Sequence, residues 1–161
     1  MSLKVRPATV HDRWDICQLH LESWQTTYKH DVSKHMLENV FPAKMKKQWA
    51  ARTFCDPEVG VVAEESQLSG FVFALTDQDV PLVDNLHVRP GIQSRGIGAL
   101  LLKEVLDELR TRGFQKANLE VLETNQRARD FYTRMGGQDI GACTGTLFGK
   151  TVAERRFEFD L

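Results

Sequence analysis

Residues 93–98, Gln-Ser-Arg-Gly-Ile-Gly, carry the densest chemical signal in the chain. Gly96 and Gly98 stand where a strongly apolar run begins, and Arg89 and Arg95 lie beside them. The first turn of a helix holds unpaired N–H groups at the positive end of its dipole. Glycines there let a ligand reach the backbone without meeting a Cβ. Such a loop suits an anion, and a pyrophosphate has the right size; a tight turn alone would also account for the glycines. Two well-known phosphate loops do not fit. A Walker loop needs Gly-Lys-Ser/Thr, yet Ala99 and Leu100 follow Gly98, and a dinucleotide fingerprint needs a small residue where Leu101 stands.

The elements that hold this loop follow from periodicity. Apolar residues at 97, 101, 102, 105, 106 and 109 predict a helix to about Arg112, closed by Gly113. Leu82–Val88, just before the loop, reads as a strand. Upstream, Leu3 and Val5 mark a short strand that Pro7 ends, and Thr9 with Asp12 resembles a helix start, the helix running to about Ser23 or Trp24. A short helix is expected over Lys34–Val40 with Ser33 as its cap, and Pro42 opens another over Ala43–Phe54. Val59–Ala63 and Gly70–Leu75 form a hairpin across the polar Glu64–Gln67. Ala117, Leu119 and Val121 alternate as a strand, Asn125–Met135 reads as a helix ended by Gly136 and Gly137, and Val152–Phe159 as the last strand. This order predicts one mixed α/β (α+β) domain over residues 1–161.

Bulk composition narrows the function classes. The 161 residues suffice to bury a core, and the formal net charge of -1 provides no overall field for nucleic acid or membrane lipid. Cys17, Cys55 and Cys143 lie far apart with no Cys-x-x-Cys pair, so neither a disulfide framework nor a metal site is expected, and a reducing cytoplasm is the expected location. The first residues lack the apolar segment of a signal peptide, and no window reaches ~18 consecutive apolar residues, so no membrane partner is expected.

The motif then becomes specific. Gln93–Gly98 matches the Q/R-x-x-G-x-G/A signature of the GNAT superfamily of acetyl-CoA-dependent N-acetyltransferases, and it follows an apolar strand ending Asn85-Leu86-His87-Val88 and a Pro-containing bend, as in that family. Residues 125–137, NQRARDFYTRMGG, resemble the family's N-x-x-A-x-x-F-Y-x-x-x-G segment, and ESWQTTYKHDV, residues 22–32, is similar to the SWxxTY stretch between its first two helices. One departure is Gly137, where many relatives carry an aromatic residue. The resemblance implies a central, mostly antiparallel twisted sheet flanked by helices, with strands four and five splayed. It implies a pyrophosphate held by backbone amides from Gln93 or Ser94 through Arg95, Gly96, Ile97 and Gly98 to Ala99. The pantetheine arm would lie along the strand edge at Leu86, His87 and Val88. Asn125 would contact the cofactor, and equally cap its helix; Tyr132 would lie near the thioester sulfur.

The implied reaction is attack by a small-molecule amine on acetyl-CoA. An ammonium with pKa ~10.4 must lose a proton first, and a leaving thiolate of pKa ~8.5 must gain one. The resemblance implies that Tyr132 donates a proton to the thiolate and that a strand N–H near Val88 serves the oxyanion. The resemblance implies a base or water-holding residue at Asp84 or two residues earlier, and since Leu82 at the earlier position cannot serve, Asp84 is the expected base or acceptor anchor. Strand alternation puts Asp84 and His87 on opposite faces unless a bulge intervenes. Trp24 and Tyr28 would wall the acceptor pocket. A protein or peptide acceptor, or a non-catalytic acyl-CoA-binding module, remains open on these residues, as does a homodimer.

Overall fold

The computed structural model describes residues 2–93 and 95–161. Its strands are β1 (Lys4–Pro7), β2 (Glu58–Glu64), β3 (Leu68–Leu75), β4 (Leu82–Val88), β5 (Lys116–Leu122), β6 (Gln138–Leu147) and β7 (Lys150–Asp160). The helices are α1 (Arg13–Tyr28), α2 (Phe41–Ala50), α3 (Ile97–Thr111) and α4 (Gln126–Arg134). The strands form one sheet in the order β1-β2-β3-β4-β5-β7-β6. Neighbours run antiparallel except β4 and β5, which run parallel.

Local chemistry explains the helix ends. Thr9 and Asp12 form a reciprocal cap ahead of α1, the Thr9 N–H donating to Asp12 Oδ2 at 2.8 Å. α1 runs one turn beyond the expected end, to Tyr28, because the inward stripe of Ile16, Leu19 and His20 continues through the buried Ser23. Ser33 caps the next helical segment as expected, its Oγ accepting from the Met36 N–H at 3.2 Å. That segment is not separated from α2. A π-turn over Met36–Val40, in which the Phe41 N–H bonds the Met36 carbonyl, leads directly into it. Pro42 has no N–H to give the preceding turn, and the widened turn absorbs that loss. α2 stops at Ala50, four residues short of the expected Phe54.

The core has two layers. On one face of the sheet, Val61, Val72, Val83, Leu119 and Phe157 pack against Leu101, Leu102, Val105 and Leu109 of α3. On the other, Val62, Phe71 and Phe73 meet Ile16 and Leu19 of α1 and Met45 and Trp49 of α2. Gly70 is obligatory between the layers: a Cβ there would stand 2.8 Å from the His87 carbonyl oxygen and 2.9 Å from Leu101 Cδ1.

Two irregularities in the sheet prepare the site. β4 and β5 join at Leu82↔Asn118, next to a 2.9 Å bond from the Asn118 N–H to the Pro81 carbonyl, and no further pair joins them among the described residues. Past that point the strands part. In β4, Phe73 faces Asn85 while Ala74 faces Val83, so Asp84 is the extra residue of a bulge. The bulge resets the alternation. Val83, Leu86 and Val88 share the α3 face, while Asp84 and His87 both look toward α1 and α2, reaching Arg52 and Ser23 respectively.

Candidate active site

Where β4 and β5 part, a cleft of about 670 Å³ opens. Leu86 and Val88 line it from β4, Gly96, Gly98 and Ala99 from the start of α3, Gln93 from the preceding loop, and Asn125 and Tyr132 from α4 and its cap. Gly96 takes φ +82 immediately before α3, and nothing lies within 4 Å of where its Cβ would stand. At Gly98 a Cβ would make ordinary contacts, 3.7 Å from Phe131 Cζ and Val88 Cγ2. The first turn of α3 therefore presents bare backbone to the cleft. The Asn125 Oδ1 accepts from the Ala128 N–H at 3.1 Å, so Asn125 caps α4 while also lining the cleft. Tyr132 packs against Phe131 and Phe157, with centroids 5.2 and 5.9 Å apart, and burial pushes its hydroxyl pKa up to about 12.

Several expected residues turn elsewhere. The Ile97 side chain is 2% exposed and anchors α3 in the core. Arg95 pairs with Glu65 at 3.1 Å. Arg89 donates twice to the Leu68 carbonyl, at 2.8 and 2.6 Å, and pairs with Glu22 at 3.1 Å. These two arginines tie loops together, and Arg127 and Arg134 of α4 line the cleft. Ser94 lies outside the described residues.

The opposite side of the parted strands is acidic and aromatic. Asp84 Oδ2 receives Arg52 Nη2 at 3.4 Å and Asn85 Nδ2 at 3.2 Å. Burial raises the Asp84 carboxyl above its ordinary pKa, Arg52 pulls it down, and Glu120 of β5 pushes it up. Glu120 itself pairs with Arg156 at 3.1 Å, and burial and Glu120 raise Glu154. His87 Nδ1 lies 2.9 Å from Ser23 Oγ, and burial lowers its pKa to about 4. His20 stands behind it, ring centroids 4.5 Å apart, its Nδ1 accepting from the Trp49 indole N–H at 3.0 Å. Trp24 and Tyr28 sit together near the end of α1, 5.7 Å between centroids, with Phe41 and Phe148 against them.

Two neighbours of the site carry no sequence signal: Arg52, which reaches Asp84 from beyond the end of α2, and Phe148, at a hairpin tip. Thr27, the threonine of the SWxxTY match, lines the cleft from α1.

The family described as "Acetyltransferase (GNAT) family" matches residues 14–137. Thialysine N-epsilon-acetyltransferase of Bos taurus is 32% identical over 63 residues, 39% of this chain and 37% of that protein. The [ribosomal protein bS18]-alanine N-acetyltransferase of Haemophilus influenzae is 34% identical over 77 residues, 48% of this chain and 52% of that protein. The chain thus spans about half or less of the length of these relatives. The crystal structure of PaiA N-acetyltransferase from Thermoplasma acidophilum in complex with coenzyme A shares the fold, with TM-score 0.77, 20% identity and all of both chains covered.

Proposed function

Since the chain belongs to the acetyltransferase (GNAT) family, we propose that it transfers the acetyl group of acetyl-CoA to the primary amine of a small molecule. One observation carries this reading: the parted edge of β4, the bare first turn of α3, Asn125 and Tyr132 all meet in a single cleft. The space left open above Gly96 fits a pyrophosphate against the α3 amides. When bound, acetyl-CoA would supply an acyl group activated as a thioester.

The chain's own residues then have separate tasks. The amides from Gln93 to Ala99 hold phosphate oxygens, with Arg127 and Arg134 adding charge. The edge of β4 from Leu86 to Val88 pairs with the amide-bearing arm, and an N–H near Val88 steadies the carbonyl oxygen. Tyr132, with its pKa near 12, keeps its proton through the neutral range and presents it to the departing sulfur. On the far side Asp84 attracts an ammonium and collects its proton through a water. Trp24 and Tyr28 bound the space the acceptor occupies.

Thiol release from acetyl-CoA, followed with a panel of primary amines, tests the reading. Amine-dependent release is expected; tight coenzyme A binding without release from any amine would make the chain a binding module. A peptide acceptor is the alternative.

A further inference from the structure

The end of α1 bridges the gap between β4 and β5. Ser23 Oγ lies 2.9 Å from His87 Nδ1, which fastens α1 to β4. Trp24 and Tyr28 then meet Phe148 edge-on, at 5.9 and 5.0 Å between centroids. Phe148 sits at the tip of the β6–β7 hairpin, across the gap from β4. Leu122, at the end of β5, pairs with Glu154, whereas β7 begins at Lys150, so this hairpin overruns β5 at the parted end. α1 therefore touches both flanks of the gap, on the face of the sheet opposite α3.

Thr27 belongs to this bridging stretch. It lines the cleft together with Leu86, Val88 and Tyr132, and among the described residues lining that cleft it alone comes from the α1 layer. The other walls come from β4, from the loop and first turn of α3, and from α4 with its cap. A molecule that threads the gap from the Gly96 end thus comes up against Thr27. With phosphates at α3 and the arm along β4, the acyl end of the cofactor is the part left to face α1. Asp84 stands on the same face nearer the joined end of the strands, at Leu82↔Asn118, so an amine gathered there reaches the thioester without passing Thr27.

We propose that Thr27 limits the acyl group this chain accepts: its side chain stands across the end of the cleft and leaves room for an acetyl methyl but not for a longer chain. This rests on the acetyl-CoA site of the reading above. The residue works by size, since a side chain branched at Cβ has few rotamers in a helix and does not fold away.

Calorimetry on the full chain, with no amine present, measures affinity for coenzyme A, acetyl-CoA and n-butyryl-CoA. The wild type should favour acetyl-CoA over butyryl-CoA by about tenfold or more. Thr27→Ala suits a helix and opens the end of the cleft. It should cut that preference by about tenfold while leaving coenzyme A affinity unchanged. Thr27→Val keeps the shape and should keep the preference. Thr27→Leu lengthens the wall and should weaken acetyl-CoA relative to coenzyme A by about tenfold, which keeps the proposal testable if the Ala variant folds poorly. A wild type indifferent to acyl length overturns the proposal. So does an unmoved preference in the folded Ala variant, an unmoved ratio of acetyl-CoA to coenzyme A in the Leu variant, or a lost preference in the Val variant, which would make the hydroxyl responsible. If the wild type binds none of the three molecules, the acetyl-transfer reading fails and takes the inference with it. If it binds them and the ratios stay fixed, the inference alone fails. Binding without thiol release from any amine ends the transfer reading and leaves these ratios to decide the inference.

Discussion

Arg52 Nη2 stands 3.4 Å from Asp84 Oδ2, presenting a positive charge to the bulge of β4. Its backbone carbonyl is held in turn by Arg13 Nη1 at 2.6 Å. Burial and Glu120 raise the Asp84 carboxyl pKa, and Arg52 opposes them. Arg52→Met removes the opposing influence, so Asp84 should take up its proton at higher pH. The acid limb of kcat/KM should therefore move to higher pH, and Arg52→Lys should return most of the shift. An acid limb that stays in place would show that another group governs it.

Tyr132→Phe keeps the ring contacts with Phe131 and Phe157 while deleting the hydroxyl. Turnover should fall by roughly 10²- to 10⁴-fold, with acetyl-CoA affinity little changed. Single-turnover measurements, which separate chemistry from product release, decide the matter. Near wild-type chemistry would remove Tyr132 from the proton path.

At Gly96, with φ +82, most side chains would strain the backbone, but asparagine tolerates the left-handed region. Gly96→Asn should therefore keep the fold while filling the open space above the first turn of α3. Coenzyme A affinity measured by calorimetry should drop about tenfold or more, the size of effect expected when a ligand meets a misplaced side chain. Retained affinity in the folded variant would place the phosphates elsewhere.

His87 makes the fold acid-sensitive. Burial lowers its pKa from an ordinary 6.5 to about 4. Above about pH 6.5 the ring is neutral in both folded and unfolded chains. Between there and about pH 4 the unfolded chain takes a proton that the folded chain refuses. Stability from this group then falls by about 1.4 kcal/mol per pH unit, and His20, also held well below its ordinary value by burial, acts in the same direction. Urea titrations from pH 7 to pH 4 should show a shallower loss in His87→Gln than in the wild type.

The legible parts of the sequence were those governed by short-range rules. The 97, 101, 102, 105, 109 spacing gave α3 because a single face of it is buried. Leu82–Val88 matched β4 residue for residue as a run of strand-forming residues. β6 went undelimited: Gly, Ala, Cys and Thr alternate there on an edge strand with little to bury, and a phenylalanine hides the turn that follows. The fused helix before α2 was read as two because Pro42 signals a break, and a π-turn needs no sequence mark of its own. In the site, backbone features followed the glycines, but the partners of charge did not. Arg89 and Arg95 lay next to the loop in sequence, and only tertiary neighbours, the Leu68 carbonyl, Glu22 and Glu65, show that they are occupied. Asp84 and His87 share a face through one inserted residue, which alternation cannot foretell.

The parting of β4 and β5 also divides the sheet mechanically. β1 to β4 form one panel and β5, β7 and β6 another, with Leu82 and Asn118 as the backbone rivet between them. Elsewhere the panels are held by side chains gathered under α3. A molecule lodged in the gap would act as a strut, bonded to both panels where the ladder is missing. Amide exchange should then slow on both flanks at once, along 83–88 and along 119–122, when the cleft is filled. Empty, the two panels are joined by that rivet and by the side chains packed under α3.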